Sequence, residues 1–274
     1  MTFSIVGQVG DSYGVAVASK FPFVGAVVPA ARLGVGAVAT QAMARVAYRE
    51  VALDALSGHL SAQEAVAACT DPDEQREHRQ LGVVGVSSQA TYTGEHCLPW
   101  AGGVSGREDT GGYAIQGNIL TGPEVVAEME RAWLESTGSS LSDRLCAALL
   151  AGDRAGGDSR GRQGAALYAV QPGAGYDGSG VLADVRVDDH PAAPQELARL
   201  LRLNDLMFGA PEQVEPLVGS VADEVRARLA SLGHEGEVAA ALAAWASEEN
   251  YETRLSPQGI DVKVLAALRE STQL

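Results

Sequence analysis

The chain has 274 residues, of which 46% are hydrophobic and 20% are charged, a composition that can bury a sizeable core. Lysine and arginine number 20 against 35 for aspartate and glutamate, so the formal charge at pH 7 is −15. This charge opposes binding to nucleic acid or to an anionic membrane surface. The sequence starts without a basic, apolar leader and has no long apolar run, which predicts a soluble, cytoplasmic protein.

The sequence offers little to hold a metal or a cofactor. Cys69, Cys97 and Cys146 lie far apart and form no C-x-x-C motif, which predicts free thiols rather than disulfides or a zinc site. The five histidines include no pair at metal-ligand spacing, so we expect no metal and no other cofactor.

Strand and helix patterns alternate over the first 190 residues. Short runs rich in valine, alanine and glycine predict strands at 3–9, 14–19, 24–28, 34–40, 82–86, 91–93, 113–119, 165–170 and 181–187. Helical spacing of apolar residues predicts helices at 43–56, 62–69, from 124 onward and at 141–151. Capping boxes are expected at Ser61 to Glu64 and at Thr121 to Glu124, and a flexible connection is expected at 102–112.

The order strands, helices, strands, helices, strands has one simple packing solution. Two antiparallel sheets stacked face to face, with a helical layer outside each, would bury every apolar face. The sequence therefore predicts an α+β protein with a four-layer αββα sandwich over residues 1–190.

The pattern becomes purely helical after the His190 to Pro194 linker. Helices are predicted at 195–207, 221–232, 237–249 and 261–269. We therefore expect residues 191–274 to form a small, separate all-α module.

Thr2 is the first candidate for chemistry. If Met1 is removed, the chain begins with an α-amine and a hydroxyl on adjacent carbons, so that one residue carries both a base and a nucleophile. The reference pKa of an α-amine, roughly 7.7 to 8.0, suits a general base near neutral pH. The alternative is that Thr2 only starts an edge strand.

Two further residues could assist Thr2. Lys20 is one of only two lysines, and a hairpin would bring it back towards Thr2, although a solvated turn residue is equally compatible with its position. Asn118 ends a predicted strand in the segment Gln116-Gly117-Asn118, where an amide or a backbone N–H could stabilise an oxyanion. A glycine-permitted bend capped by Asn118 explains the same segment.

Other polar groups could bind a substrate. Asp158 and Arg160 lie in a glycine-rich loop in which a guanidinium could clamp a carboxylate, or the two could simply pair with each other. Thr40 and Gln41 end a buried strand and could point into the same pocket or merely start a loop. Arg32 is a further candidate for orienting an anionic substrate.

Several of these segments carry a resemblance to a known family. The chain resembles the domain of unknown function 1028 family in segments spread in order over residues 2–190, among them 2–6, 14–21, 24–29, 34–41, 80–84, 116–120 and 155–163. That family is similar in fold to the N-terminal nucleophile hydrolases. The resemblance implies a hydrolase of amide-type C–N bonds with Thr2 as the nucleophile. Residues 195–270 resemble a peptidoglycan-binding module often attached to this family.

Two hypotheses follow from the sequence. The first is an amidohydrolase acting on an amide, lactam or ureido bond of a small molecule, with Thr2, Lys20 and Asn118 as catalytic residues. Gln116, Gly117 and the other polar candidates would then contact the substrate. The second is a noncatalytic scaffold that binds a glycan or a protein partner. The tail has few aromatic residues on which a sugar could stack, which disfavours glycan binding and leaves dimer formation open.

Overall fold

A computed structural model describes residues 2–272 of the chain. The strands are β1 Thr2–Val9, β2 Ser12–Ser19, β3 Pro29–Arg32, β4 Gly36–Ala42, β5 Arg79–Gly85, β6 Gln89–Thr93, β7 Gly102–Glu108, β8 Gly111–Asn118, β9 Gly164–Val170, β10 Val181–Val187, β11 Val214–Glu215 and β12 Ile260–Asp261. The helices are α1 Val24–Val27, α2 Tyr48–Ser57, α3 Ala62–Thr70, α4 Glu124–Glu135, α5 Leu141–Arg154, α6 Ala193–Phe208, α7 Gly219–Ser231, α8 Val238–Glu248 and α9 Val262–Thr272.

Ten of these strands form two antiparallel sheets. The larger sheet has the order β10-β9-β2-β1-β8-β7, and the smaller sheet has the order β3-β4-β5-β6. β1 lies in the interior of the larger sheet, with Phe3 opposite Ala18 of β2 and Thr2 opposite Asn118 of β8. The first described residue of the chain is therefore held by strand pairing.

Three apolar clusters place the helices and the sheets relative to each other. The first joins α4 and α5 to the larger sheet, and it includes Phe3, Ile5, Ile115, Met129, Trp133 and Leu145. The second lies between the two sheets, and it includes Val6, Val15, Val17, Ala37, Ala39 and Val84. The third joins α2 and α3 to the smaller sheet, and it includes Val38, Leu53, Ala65 and Leu81. Each sheet thus packs on the other sheet through one face and on a helix pair through the opposite face.

Close packing of α4 and α5 on the larger sheet depends on glycine in the strands. A Cβ at Gly7 would lie 2.6 Å from the ring of Trp133, so only glycine lets the indole lie on the backbone of β1. The guanidinium of Arg144 lies over the ring of this indole, 3.9 Å from the ring centroid. Both side chains are almost fully buried.

The coarse sequence prediction of a mixed α+β protein with a helical C-terminal region is confirmed, with local corrections. Val24–Val27 is a short helix and not a strand, and Gly102–Glu108 forms strand β7 where a flexible connection was predicted. The capping box of Ser61 and Glu64 is present. The predicted box at Thr121 to Glu124 is absent because Pro123 occupies the N-cap position and no side chain caps the helix.

The chain divides into two compact units, the first ending at Leu201 and the second starting at Arg202. α6 crosses this point, and its residues Ala193 and Leu197 belong to the core of the first unit. The compact unit thus extends past residue 190, where the sequence pattern changes.

The second unit has its own apolar core, formed by side chains of α7, α8 and α9 that include Val225, Leu242, Trp245 and Leu265. None of the helices in residues 2–272 combines the length and the apolar character that crossing a membrane would require.

Candidate functional site

Strand alternation directs Thr2 to the space between the sheets. Phe3 and Ile5 belong to the core below α4 and α5, whereas Val6 belongs to the core between the sheets. Because successive side chains of a strand point to opposite faces, Thr2 and Ser4 share the inter-sheet face with Val6. This space is apolar around Val6 and polar at the end where β1 starts.

Thr2 is buried, with 5% of its surface exposed. Thr2 Oγ1 donates a hydrogen bond to Ser19 Oγ at 3.1 Å. The carbonyl oxygen of Thr2 accepts a hydrogen bond from Nε2 of Gln41 at 3.2 Å. The larger sheet supplies Ser19 and Asn118 beside Thr2, and the smaller sheet supplies Gln41.

A buried network of amide side chains continues from Gln41 across the space between the sheets. Gln41 Nε2 and Asn118 Nδ2 both donate to Gln80 Oε1, at 2.7 and 2.8 Å. On the other side, Ser4 Oγ donates to Gln41 Oε1 at 2.7 Å and accepts from Gln116 Nε2 at 2.6 Å. All five side chains are buried, so these bonds are strong and hold each group in one orientation.

Two backbone conformations of high energy lie next to this network. Ala42, directly after Gln41, has φ 69°, and Ile119, directly after Asn118, has φ 51°. The left-handed region is unusual for alanine and a genuine outlier for a β-branched residue. Such conformations concentrate at functional sites, where the surrounding structure holds them.

The segment after Asn118 forms hydrogen bonds with two loops. Ile119 donates its N–H to the carbonyl of Leu98, and its carbonyl accepts from the N–H of Ser159, at 2.9 and 3.0 Å. Leu120 also pairs with Asp158 as a β-bridge. Loop 94–101 and loop 155–163 are therefore tied to the strand end that pairs with Thr2.

Each of these loops borders a cavity. A cavity of about 70 Å³ is lined by Phe3, Ser19, Asp158, Arg162 and neighbouring residues. A wider cavity of about 480 Å³ is lined by Thr91, Thr93, Glu95, Cys97 and loop glycines. Burial raises the pKa of the Cys97 thiol above its ordinary value, so this thiol is protonated at neutral pH.

The structure ties Asp158, Arg160 and Lys20 together beside the smaller cavity. Asp158 is buried and accepts hydrogen bonds from Nε and from the backbone N–H of Arg160, at 3.1 and 3.0 Å. Its second oxygen accepts from the backbone N–H of Lys20 at 2.8 Å. The Lys20 ammonium lies 3.4 Å from the carbonyl of Arg162. Asp158 thus pairs with Arg160, the alternative that the sequence left open.

Arg32 and Thr40 lie away from this group. Arg32 forms ion pairs with Glu50 and Asp54 of α2, each at 2.8 Å. In the strand pairing, Arg32 lies opposite Gly36 of β4. Gly36 precedes Gln41 by five residues, which separates the two by about 17 Å along the strand. Thr40 alternates with Gln41 and so faces the helix layer, where its hydroxyl lies 3.4 Å from the carbonyl of Arg45.

Gln116 and Gly117 lie on β8 beside Asn118 but on opposite faces. Gln116 shares the inter-sheet face with Asn118 and donates to Ser4, whereas a Cβ at Gly117 would overlap Leu120. The structure thus brings together Thr2, Gln41, Gln116 and Asn118.

Sequence reasoning missed three polar residues of the site, Ser4, Ser19 and Gln80. A signal was present in each strand, because all three share a face with apolar residues of the inter-sheet core. A polar side chain in the buried register of a strand indicates a partner across the sheet. The described residues 2–272 contain no cluster of three or more histidine, cysteine, aspartate or glutamate side chains that could hold a metal ion.

Comparison with sequence families gives two matches. Residues 2–197 match a family described as "Family of unknown function (DUF1028)". The chain belongs to this family. Residues 207–268 match a second family, described as "Putative peptidoglycan binding domain". Both resemblances seen in the sequence are thereby confirmed.

One solved structure extends the comparison to three dimensions. The chain is similar to a DUF1028 protein of Silicibacter pomeroyi known from a crystal structure, with a TM-score of 0.64 and 25% sequence identity. The similarity covers 81% of this chain and 92% of the other. No curated protein matches the sequence.

Proposed function

We propose that this DUF1028 chain is an N-terminal nucleophile hydrolase that cleaves the C–N bond of an amide, lactam or ureido group in a small molecule, with Thr2 as the nucleophile after removal of Met1. The succession of helix pair, sheet, sheet and helix pair supports this proposal, because it is the layer order of that fold class. The observation that carries it is the Thr2 hydroxyl, which lies at the start of β1 inside the polar end of the inter-sheet space.

The free α-amine of Thr2 is the base in this mechanism. It takes the proton of the Thr2 hydroxyl, and the resulting alkoxide adds to the substrate carbonyl. The ammonium then gives its proton to the departing nitrogen as the C–N bond breaks, which leaves an acyl ester on Thr2. Water, deprotonated by the same amine, adds to the ester and releases the acid, so that Thr2 is restored.

Asn118 is the proposed oxyanion donor. It stands opposite Thr2 in the strand pairing, and its carboxamide nitrogen carries two N–H groups. One of them is bound to Gln80 Oε1, and the other would stabilise the negative oxygen of the tetrahedral intermediate. A donor of this kind contributes roughly 3 kcal/mol in other enzymes.

Lys20 contributes charge rather than proton transfer in this proposal. Its backbone N–H and its ammonium are both bound to loop 155–163, which fixes the cation at the end of β2 after Ser19. A positive charge near the α-amine disfavours the ammonium form and so lowers the pKa of the amine.

The second unit has a packing role in this proposal. Trp245 is 2% exposed and packs edge-on against Tyr251, with ring centroids 5.6 Å apart. An indole buried in this way offers no face to a sugar ring.

The proposal is tested on the purified full-length protein. Intact mass should show a chain that begins at Thr2, and a screen of small amides, lactams and ureas should show turnover. Thr2→Ala should abolish turnover and leave the thermal unfolding midpoint within a few degrees of the parent. Retained Met1 in active protein, or turnover by the Thr2→Ala variant, would overturn the mechanism. A chain that keeps Met1, turns over nothing and binds a protein partner would be the scaffold instead.

A further inference from the structure

Gln80, at the start of β5 in the smaller sheet, links Asn118 to Gln41, the residue that binds the Thr2 carbonyl. Its side chain is fully buried and engaged at both ends. Its role follows from which of its atoms accept and which donate.

The nitrogen end of the Gln80 carboxamide has its direction fixed by its neighbours. Nε2 lies 2.8 Å from the carbonyl oxygen of Gly117, 2.9 Å from Thr93 Oγ1 and 3.3 Å from the carbonyl oxygen of Gly102. Two of these three groups are carbonyls, which only accept hydrogen bonds. A flipped carboxamide would place Oε1 against two carbonyl oxygens, so Nε2 has to face them.

The oxygen end then dictates the orientation of two other side chains. Oε1 of Gln80 can only accept, and it lies 2.7 Å from Gln41 Nε2 and 2.8 Å from Asn118 Nδ2. Both neighbours must therefore present N–H groups to it. For Asn118, the carboxamide nitrogen therefore faces Gln80 and the carboxamide oxygen does not. This nitrogen carries a second N–H. For Gln41, the same requirement places Nε2 where it also reaches the carbonyl of Thr2.

We propose that Gln80 is a positioning residue of the Thr2 site: its carboxamide oxygen binds one N–H of Asn118 so that the second N–H is available to an oxyanion and, through Gln41, it holds the carbonyl of Thr2. This inference rests on the proposed function, because it assigns the orientation of the oxyanion donor. Gln80 itself touches neither the nucleophile nor a substrate. It lets the amides from both sheets act as one rigid unit.

The test uses β-propiolactone as the probe, because its acylation of Thr2 forms an oxyanion and needs no known substrate. The Thr2 alkoxide adds to the lactone carbonyl, the ring C–O bond breaks, and the ring oxygen takes the proton from the α-ammonium. The N-terminal peptide gains the whole mass of the lactone, and its rate of labelling is followed by mass spectrometry. The Thr2→Ala variant gives the background.

Gln80→Met keeps the length of the side chain and removes both polar ends, so we expect Thr2 to label about 10- to 100-fold more slowly. Gln8→Met is the matched control, because Gln8 is a buried glutamine at the other end of β1 with its own hydrogen bonds to Gly10 and Tyr13. It should label at the parental rate. Equal rates for Gln80→Met and the parent would overturn the inference.

Gln80→Glu supplies a second readout that a simple packing defect would not show. The groups that face this side chain are Gln41, Thr93, Asn118 and the carbonyls of Gly102 and Gly117, all uncharged. The protonated acid can donate to the Gly117 carbonyl as the amide does, whereas the carboxylate cannot. Labelling relative to the parent should therefore fall as pH rises, and a pH-independent ratio would contradict the inference.

The outcomes distinguish a failure of the proposed function from a failure of the role of Gln80. If the parent protein with a free Thr2 labels no faster than the Thr2→Ala variant, the proposed function fails. If the parent labels at Thr2 and both Gln80 variants do so at the parental rate at every pH, only the role of Gln80 fails. Thermal unfolding of each variant shows whether it is folded at the assay temperature.

Discussion

Thr2 Oγ1 and Ser19 Oγ lie 3.1 Å apart on two neighbouring strands, and the bond between them fixes the Thr2 side chain. A threonine side chain has three staggered rotamers, of which this bond selects one. Both residues are buried, which strengthens the hydrogen bond.

Ser19→Ala should slow the acylation of Thr2 about threefold, because the freed hydroxyl distributes over three rotamers. Loss of the bond to Thr2 should lower the free energy of unfolding by about 1 kcal/mol, the usual contribution of such a bond. The matched control is Ser12→Ala, at the other end of β2, where the hydroxyl binds Gln171 at 3.1 Å. The control should lose similar stability and keep the labelling rate. Equal labelling by the Ser19→Ala variant and the parent would show that the bond does not position Thr2.

The carboxylate of Asp73 predicts a pH dependence of stability. A hydrogen bond from Tyr48, helped by one from Arg79, holds the pKa of Asp73 well below its ordinary value of 3.8. A carboxyl whose pKa is lower in the folded state stabilises the fold above pH 3.8, and this stabilisation is lost as pH falls through the folded pKa. The free energy of unfolding should therefore fall in acid.

Tyr48→Phe isolates this effect, since the Tyr48 bond is the largest cause of the shift. We expect the variant to lose about 1 to 3 kcal/mol at pH 7, where the carboxylate is ionised. The difference from the parent should shrink once pH falls through the Asp73 pKa of the folded variant, which lies above that of the folded parent. Urea unfolding at a series of pH values measures both quantities. An Asp73 pKa that is the same in the folded variant and the folded parent, measured by carboxyl NMR titration, would contradict the assignment.

Gly82 makes room for the amide network. A Cβ at this position would overlap the carboxamide of Gln116, which is buried and bound to Ser4. Gly82→Ala should therefore displace Gln116 and cost about 1 to 3 kcal/mol of stability. Gly112→Ala is the milder control, because its Cβ would lie 3.0 Å from Arg107 and 3.1 Å from Gln89, whose side chains can shift. Equal costs for the two variants would show that the network is not rigid at Gln116.

The buried guanidinium of Arg254 should stabilise the second unit. Its guanidinium is 0% exposed and donates to the carboxylate of Asp205 at 2.8 Å and to the carbonyl of Ala210 at 2.9 Å. Arg254→Met should cost about 3 to 5 kcal/mol, because it removes the positive charge that faces a buried carboxylate, Asp261, and the donor of several carbonyls.

Lys263→Met is the control for this site. The Lys263 ammonium pairs with Asp205 at 2.7 Å, but the Lys263 side chain is 42% exposed. Removing an exposed ion pair should cost less than about 1 kcal/mol. Thermal unfolding followed at Trp245, in the core of the same unit, compares the two variants. The interpretation fails if the two variants lose the same stability.

The sequence predicted the strands and helices whose apolar pattern is strong. Val15 and Val17 mark a buried strand whether or not its partner is known, and the Ser61 and Glu64 box depends only on local hydrogen bonds. Val24–Val27 was misassigned, because four apolar residues fit a strand or a helical turn equally well. β7 was missed because its glycines have little strand propensity and gain their order from pairing with β8.

The candidate site was only partly predictable for a related reason. Thr2 follows from its position, and Asn118 from the end of a strand. Ser4, Ser19 and Gln80 acquire their partners from register and from the stacking of the sheets, which no local pattern encodes. Arg32 had suggested substrate binding, but its two carboxylate partners on α2 could be identified only once the helix had been placed against the sheet.

The burial of Trp133 against Gly7 and Arg144 has a practical consequence for optical work on this protein. The chain has three tryptophans, of which Trp133 lies in the core of the first unit and Trp245 in that of the second. An indole removed from water emits at shorter wavelength than a hydrated one. Variants that keep a single tryptophan, at 133 or at 245, would give each unit its own fluorophore. The shift of the emission wavelength with temperature in each variant would then show the order in which the two units unfold.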